Sequence, residues 1–577
     1  MTSHPPPYDR IRARRDRFRS AIAERYDVVI VGAGTGGLCA AALLARRGKR
    51  TLLVDQHYVA GGNATVFRRP GYEHDIGLHY IGSCEHDGAI PRILRAAGVD
   101  DMRFARLGPP GDVFVLPSGE RVDVPGDVAA FERLLCARYP ERRRGIARYF
   151  KFVRTVDRLG HIAQRPWSAL HIVPRSLGAL RYFNATFAEL LDRLVDGGAG
   201  RDGGARPGGD PRAAELRCLL GGWQIVYALA PSEVSAAVHV GSMMHYIQGA
   251  YYPLGGGQRI SDRLAEEVER AGGEILLGVR ARRIIVEDGR ARGVVIAGRH
   301  HGERRVEADH VIAAGDIQRA LLELVDEQAL RHRTRARVAG YRWPPGLASV
   351  YLGVRRDLAA EGITSATYAI YPELDVEPAY AACAAGRLDQ RPYVCASVPT
   401  LKDPQNPRLA PQGVCNVQLM SIAPSDPAAW GVSEAALADG SYRDDAEYKR
   451  RKARYGDMMI AVAEALLPGL SADIVFREMA TPLTQRRYTA SSTGTGYGIA
   501  LTPDQFLFKR PPASTEIDGL VLAGASLRTM HGIVGALHSG VAAASAVLGE
   551  NLGKAIFSSS GMLDPNSRSS APAGVPR

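Results

Sequence analysis

Cysteine is sparse in this chain. Seven are scattered at positions 39, 84, 136, 218, 383, 395 and 415, an odd number with no CxxC pair. That pattern excludes a disulfide framework and a zinc ribbon, so a reducing, cytoplasmic setting is expected. Aromatic residues make up 7% of the chain, and no basic run is interleaved with them. The net charge of +12 comes mainly from dispersed arginine, so nucleic acid is rejected as a main partner. Long hydrophobic runs are also missing. No stretch reaches the length of a membrane span, and the most apolar late segment, Ile533–Leu548, is interrupted by His538 and Ser539. The N-terminus has no secretory apolar region. What remains is 577 residues, 46% hydrophobic and 23% charged, enough for two or more core-bearing domains.

Against this background, Tyr26–Asp55 stands out, reading YDVVIVGAGTGGLCAAALLARRGKRTLLVD. Val28–Val31 has the β-branched, apolar composition of a parallel strand buried on both faces. Gly32 permits the tight turn that follows, Gly34 lets a pyrophosphate approach the backbone, and Gly37 lets the next helix pack on the strand. That Ala/Leu-rich helix stops at Gly48 and turns the positive end of its dipole toward the phosphates. A second strand, Thr51–Val54, ends at Asp55, placed to accept from adenosine ribose hydroxyls and to disfavour a 2′-phosphate. A bare GxGxxG also occurs in ordinary glycine-rich turns. Here strand, glycines, helix and acid fall in register.

Two further features select FAD over NAD. Gly61-Gly62 permits another close approach of backbone to cofactor. Gly519–Ala544, GLVLAGASLRTMHGIVGALHSGVAAA, has the form of the segment that completes an FAD domain assembled from separated stretches. Between them lie a helical block at Asp127–Tyr252, a helix at Ile260–Ala271, and a meander of strands at Glu274–Val279, Ile284–Glu287 and Arg292–Ile296 with a turn at Asp288-Gly289. Val306–Gly315 is another strand ending on a glycine. Leu347–Pro424 is strand-rich, and a helix is expected near Asp444–Leu467. Gly197–Asp210 reads as a surface loop, and the Ser/Pro/Gly-rich tail from about Ser558 as disordered. In Tyr8–Arg25, Tyr8, Ile11, Phe18 and Ile22 share one helical face, with Arg10, Arg12, Arg14, Arg15, Arg17 and Arg19 spread around the others. Such an arm can lie on an anionic membrane, or be a solvated leader, since Asp9 and Asp16 dilute its charge.

At this point the chain resembles the phytoene desaturase, carotenoid isomerase and retinol saturase family of flavoproteins, from about Tyr26 to Gly549. GYEHDIGLHYIG (Gly71–Gly82) resembles the family's Asp-x-Gly-x-His segment, and GAYYPLGGGQRISDRLAEEVERAGGEI its central Tyr-x-Pro-x-Gly-Gly block. LKDPQNPRLAPQG and TPLTQRRYTASSTGTGYG resemble late substrate-domain motifs. The GLHYIG and YYPLGGG pieces lean toward the saturase and isomerase branch. The resemblance implies an α/β architecture: a glutathione-reductase-like, Rossmann-type FAD-binding domain built from discontinuous segments, plus an α+β substrate domain with an apolar tunnel. The expected division is a basic arm at 1–25, FAD-binding segments at 26–126, 253–330 and 468–553, substrate-domain segments at 127–252 and 331–467, and a tail at 554–577.

Carried onto this chain, the family pattern implies FAD contacts at Gly32, Gly34, Gly37, Asp55, Gly61, Gly62, Val279, Gly524 and Ala525. Two departures accompany it. Asn63 stands where many relatives carry Arg, and Gly524-Ala525-Ser526 lacks the usual acid, leaving Ser526 as a weaker, uncharged ribityl partner. The family places His79 and Tyr80 beside the flavin and substrate, and His531 near the flavin's polar edge. These three are the candidate proton donors, each also readable as a structural residue. His74, His79 and His86, with nearby acids, match no helical ligand spacing, so no metal is expected. The implied activity is an FAD-dependent oxidoreductase working on double bonds of a long apolar polyene or isoprenoid, by desaturation, saturation or cis/trans isomerisation. The alternatives are a flavin amine or other small-molecule oxidase and a non-enzymatic prenyl carrier of the GDP-dissociation-inhibitor type. The redox partner is not indicated.

Overall fold

The computed structural model of the protein describes residues 22–164, 182–195, 210–298 and 302–558. The basic arm through residue 21, nearly all of the loop expected at 197–210 and the tail after 558 lie outside them.

The β-branched run after Tyr26 forms the centre of strand Arg25–Val31, which pairs in parallel with Thr51–Asp55 on one side and Glu303–Ala313 on the other. These strands belong to a seven-stranded sheet ordered Val279–Glu287, Arg290–Gly298, Glu303–Ala313, Arg25–Val31, Thr51–Asp55, Glu274–Leu277, with Leu520–Leu522 joining Glu303–Ala313 in parallel. The hairpin between Val279–Glu287 and Arg290–Gly298 turns at Asp288 and Gly289, both at positive φ (49° and 74°). Positive φ at both central residues is the signature of a type I′ turn. Of the expected meander, Val279–Glu287 and Arg290–Gly298 run longer than periodicity suggests, whereas Glu274–Leu277 is shorter and pairs in parallel with Thr51–Asp55 at the opposite edge of the sheet, so it is not part of the meander. Helices Thr35–Ala45, Gln258–Arg270 and Gly532–Leu548 cover one face, burying Leu38, Leu43, Ile260, Leu264, Leu537 and Val541 together. The apolar segment flagged at Ile533–Leu548 is therefore a core helix of this layer. Among the described residues no helix is long and apolar enough to cross a membrane.

A second seven-stranded sheet is ordered Ile474–Ala480, Gly346–Val354, Cys415–Ala423, Val394–Ser397, Thr367–Ile370, Asp112–Val115, Arg121–Asp123. The period-two alternation of Gly346–Val354 explains its packing. Ala348, Val350, Leu352 and Val354 bury against Met459 and Ile460 of helix Ala446–Ala463, while Leu347, Ser349 and Tyr351 face a cavity between the two sheets. The far end of this sheet packs on the helical block, where Phe131, Tyr149, Phe187, Leu216 and Trp223 share one core. Asp127 caps helix Val128–Arg138 through Ala129 and Ala130, and Thr186 with Glu189 forms a capping box on Phe187–Leu194.

Three strands depart from the expected division. Asp112–Val115 and Arg121–Asp123, inside segment 26–126, and Ile474–Ala480, inside segment 468–553, all pair in the second sheet. Asp112–Val115 runs parallel to Thr367–Ile370, a partner far along the chain. Local periodicity identifies a strand but carries no information about which sheet receives it.

Candidate active site

The glycines of the first turn meet the second glycine pair directly. Gly32 takes φ 114° and donates its N–H to Val54, 2.8 Å away. A β-carbon on Gly37 would fall 2.0 Å from the Gly32 carbonyl oxygen, so the helix can approach the strand only with glycine there. Gly61, at φ 128°, donates to the Ala33 carbonyl at 2.7 Å, and a β-carbon on Gly62 would lie 3.2 Å from Gly34 Cα. Gly34 itself has nothing within 4 Å of where a β-carbon would stand, on the side that lines the cavity. No side chain caps the first turn of helix Thr35–Ala45, and no acid lies in it. Its amide donors and dipole are therefore left for an anion.

Asp55 closes this end. Its carboxylate accepts from Ala33 N–H and His57 N–H, each at 2.7 Å. Burial pushes the carboxyl up, and these two donors oppose the shift. Val279 and Arg280 line the cavity beside it, with Gly278 tied to the His57 carbonyl at 2.9 Å.

The C-terminal segment forms the opposite wall. Gly524, at φ 110°, donates to Ser539 Oγ at 2.7 Å. A β-carbon on Gly36 would stand 2.8 Å from that same oxygen, and one on Gly540 would stand 2.5 Å from Gly36 O, so helices Thr35–Ala45 and Gly532–Leu548 touch backbone to backbone. Gly524, Ala525 and Ser526 all line the cavity. The Ser526 hydroxyl accepts from Ile499 N–H at 3.3 Å, which leaves its own proton free to be donated. Asn63 lines the cavity too.

The cavity measures about 630 Å³ and extends past the glycines along Leu347, Tyr351, Met420, Tyr497 and Ile533. An uncapped helix start, an open glycine, a paired-glycine floor and a half-buried acid at one end fit a dinucleotide. The apolar walls farther in fit a flat ring system.

The three candidate proton donors do not line this cavity, although Ile76 and Gly77, just before His79, do. They lie in a buried polar layer. Asp75 accepts from Gly257 N–H at 2.7 Å and from the Tyr252 hydroxyl, and burial raises its carboxyl to about 6. The His79 carbonyl accepts from Lys402 Nζ at 2.7 Å, while neither ring nitrogen of His79 has a hydrogen-bond partner. Burial, with Lys402 nearby, drives His79 down to about 3. Tyr80 packs on Tyr246 with ring centroids 4.2 Å apart, and Lys402 Nζ stands 5.6 Å over its ring. Burial and then Asp112 raise its phenol well above 10. His531 Nε2 donates to the Val226 carbonyl at 2.8 Å, and its ring lies 5.0 Å from the cavity-lining Tyr497. Burial lowers it to about 4. Both histidines are neutral at neutral pH. His74 stacks on Phe476 and is joined to Asn416 through Nδ1 at 3.0 Å.

Lys402 was not singled out by sequence reasoning, although it lies in the LKDPQNPRLAPQG motif. It is buried, bonds Thr367 Oγ1 at 3.2 Å as well as His79 O, and burial lowers it to about 8. Asp112, bonded by Trp223 Nε1 at 3.2 Å, and Gln418, beside His79, were also missed. Both are single polar residues in strands, whereas Lys402 ends the short helix Pro399–Lys402.

Comparison with known proteins bears directly on this arrangement. The family model described as flavin containing amine oxidoreductase matches residues 35–409. All-trans-retinol 13,14-reductase of Macaca fascicularis is 27% identical over 570 residues, covering 92% of this chain and 87% of that protein. The chloroplastic prolycopene isomerase of Daucus carota is 24% identical over 547 residues, covering 91% and 80%. A solved variant of putrescine oxidase superposes with TM-score 0.60 at 15% identity, covering 91% of this chain and 99% of that one. The cofactor is FAD. With relatives among retinol reductases and carotenoid isomerases, the chain belongs to the flavin containing amine oxidoreductase family.

Proposed function

We propose that the protein is an FAD-dependent oxidoreductase acting on carbon–carbon double bonds of a long apolar polyene of retinoid or carotenoid type. The observation that carries this reading is that both a retinol reductase and a prolycopene isomerase match more than nine-tenths of the chain. The inner cavity wall of Leu347, Tyr351, Met420, Tyr497 and Ile533 agrees with an apolar ligand. Gly32, Gly34, Gly37, Gly61 and Gly62 would hold the pyrophosphate side of the cofactor, Asp55 and Val279 the adenosine, and Gly524, Ala525 and Ser526 the ribityl side. Bound FAD supplies a centre that takes up or returns a hydride.

The chain's own residues exclude water, hold the polyene against that centre and move one proton. The candidates for that proton, Tyr80, His79 and His531, stand behind the cavity wall, so each would act through a lining group or one water; Tyr80 is the one that keeps a hydroxyl proton at every physiological pH, with Lys402 over its ring. Replacing Tyr80 by Phe is expected to lower turnover about a hundredfold with flavin content unchanged, and His79→Gln and His531→Asn test the remaining positions. Unchanged rates in all three would remove the donor assignment.

The likeness to putrescine oxidase concerns the fold, and amine oxidation is the second reading. A carrier of the GDP-dissociation-inhibitor type is disfavoured by the intact glycine cradle. The deciding measurement is the absorbance of the purified protein under anaerobic titration with polyenes, before and after dithionite. Bleaching by substrate means desaturation, and reoxidation of reduced flavin by substrate means saturation. Isomerisation without net flavin change means an isomerase. Bleaching by amines but no polyene would overturn the proposal. Contact of the basic arm with an anionic membrane, in a cytoplasmic setting, belongs to the same reading.

A further inference from the structure

The loop after Phe506 breaks the usual rule for apolar side chains. Phe506 is buried in the helical-block core, yet Leu507 is 41% exposed and Phe508 81% exposed, the largest exposure among the bulky hydrophobic residues described. Leu507 adopts φ 53°, a left-handed conformation that costs a branched residue energy. The surrounding structure holds it there. Arg510, buried three residues on, donates to the carbonyls of Leu527 and Ala525, each at 2.8 Å, and of Ile499 at 3.0 Å. Lys509 Nζ bonds Pro503 O at 2.8 Å and Asn184 Oδ1 at 3.2 Å. The two apolar side chains are therefore presented by a braced loop.

Its rim is cationic. Lys509, Arg528 and Arg337 are exposed, Arg528 standing 5.8 Å from the Phe508 ring centroid and Arg337 donating to the Lys509 carbonyl at 2.6 Å. Among the described residues none of the three forms an ion pair, and the nearest acid in sequence, Asp504, is taken by Arg342. Exposed apolar tips inside a ring of unpaired cations match the depth profile of a bilayer surface: acyl region, then anionic headgroups.

We propose that Leu507 and Phe508 insert into an anionic lipid surface, with Lys509, Arg528 and Arg337 on the headgroups. This docking point lies elsewhere in the sequence than the N-terminal arm. It rests on the proposed apolar substrate, which a lipid surface would deliver, and it lies one residue pair from Ala525 at the cofactor cavity through Arg510.

The test uses the full-length flavin-loaded protein and floats it with phosphatidylcholine vesicles, with and without phosphatidylglycerol. The wild type is expected to bind only the anionic vesicles. The double variant Leu507→Ser/Phe508→Ser, and separately Lys509→Gln/Arg528→Gln, are expected to lose about tenfold or more in partitioning. Flavin content, melting temperature and turnover of detergent-dispersed polyene are expected to match the wild type, so misfolding is detected directly. Equal partitioning of the variants, or no binding by the wild type, overturns the proposal. Failure of detergent-dispersed turnover in the wild type would instead count against the substrate reading, leaving the vesicle result to stand on its own.

Discussion

Gly37 shows how much one missing methyl group decides. With its would-be β-carbon 2.0 Å from a carbonyl oxygen, Gly37→Ala forces helix and strand apart. We expect a cost of about 1–3 kcal/mol, read as a lower melting temperature, together with a drop in bound flavin measured by the visible-to-protein absorbance ratio. Asp55→Ala strands the N–H donors of buried Ala33 and half-buried His57, at about 1–3 kcal/mol for the buried one and less for the other. Its apoprotein should therefore also melt earlier, which loss of a ribose contact alone would not produce. These positions were legible in the sequence because a tight turn admits few residues and announces itself by spacing. The polar layer was not. His79 and Tyr80 could be named from a motif, but that they lie behind the cavity wall, under Lys402 and beside Tyr246, depends on packing from helices far along the chain.

Among the elements, the pairing of helices Thr35–Ala45 and Gly532–Leu548 depends on Gly36 and Gly540. Gly540→Val should cost about 1–3 kcal/mol and reduce flavin retention, although residue 540 is not among those lining the cavity. A melting temperature equal to wild type would mean that the helices can separate without penalty. The individual elements were largely legible: both glycine-bearing segments, the hairpin turning at Asp288-Gly289 and the helix at Ala446–Ala463 are where periodicity and turn residues put them, while Glu274–Leu277, expected in one meander with that hairpin, pairs with Thr51–Asp55. Sheet membership was not, as Asp112–Val115 and Ile474–Ala480 show. Period two specifies two faces and leaves the hydrogen-bonding edges open to any compatible strand.

For the molecule as a whole, burial of neutral histidine sets the response to acid. Burial lowers His239 and His79 to about 3, and His74, His245 and His531 to about 4. Below the ordinary histidine value the unfolded chain binds protons that the folded chain refuses, so this stability is present above about 6.5 and is lost as pH falls toward 4. Burial raises the carboxyls of Asp75 and Asp112 to about 6 and of Asp262 to about 7. These have the opposite sign, their contribution lost as pH rises from about 4 through those values, and they offset part of the effect. His310 and His538 shift with the other histidines, and Asp55, Glu233 and Asp316 with the other carboxyls; the histidines remain the larger group, so the melting temperature should fall between about pH 6.5 and about pH 4.5. His239→Gln, far from the cavity, should flatten that slope without changing flavin content, and a slope that stays the same would assign acid sensitivity elsewhere.

The two helices that meet at Gly36 and Gly540 are made at opposite ends of synthesis. When residues 35–45 leave the ribosome, the surface that will cover them does not yet exist, and the strand Leu520–Leu522 that leads to Gly524 at the cavity is also still to come. A nascent chain therefore carries an unfinished, apolar nucleotide fold for most of its translation, in need of shielding. Cofactor loading is in consequence a late, whole-chain event, and an abundance of flavin in the cell can rescue a finished polypeptide but not a truncated one.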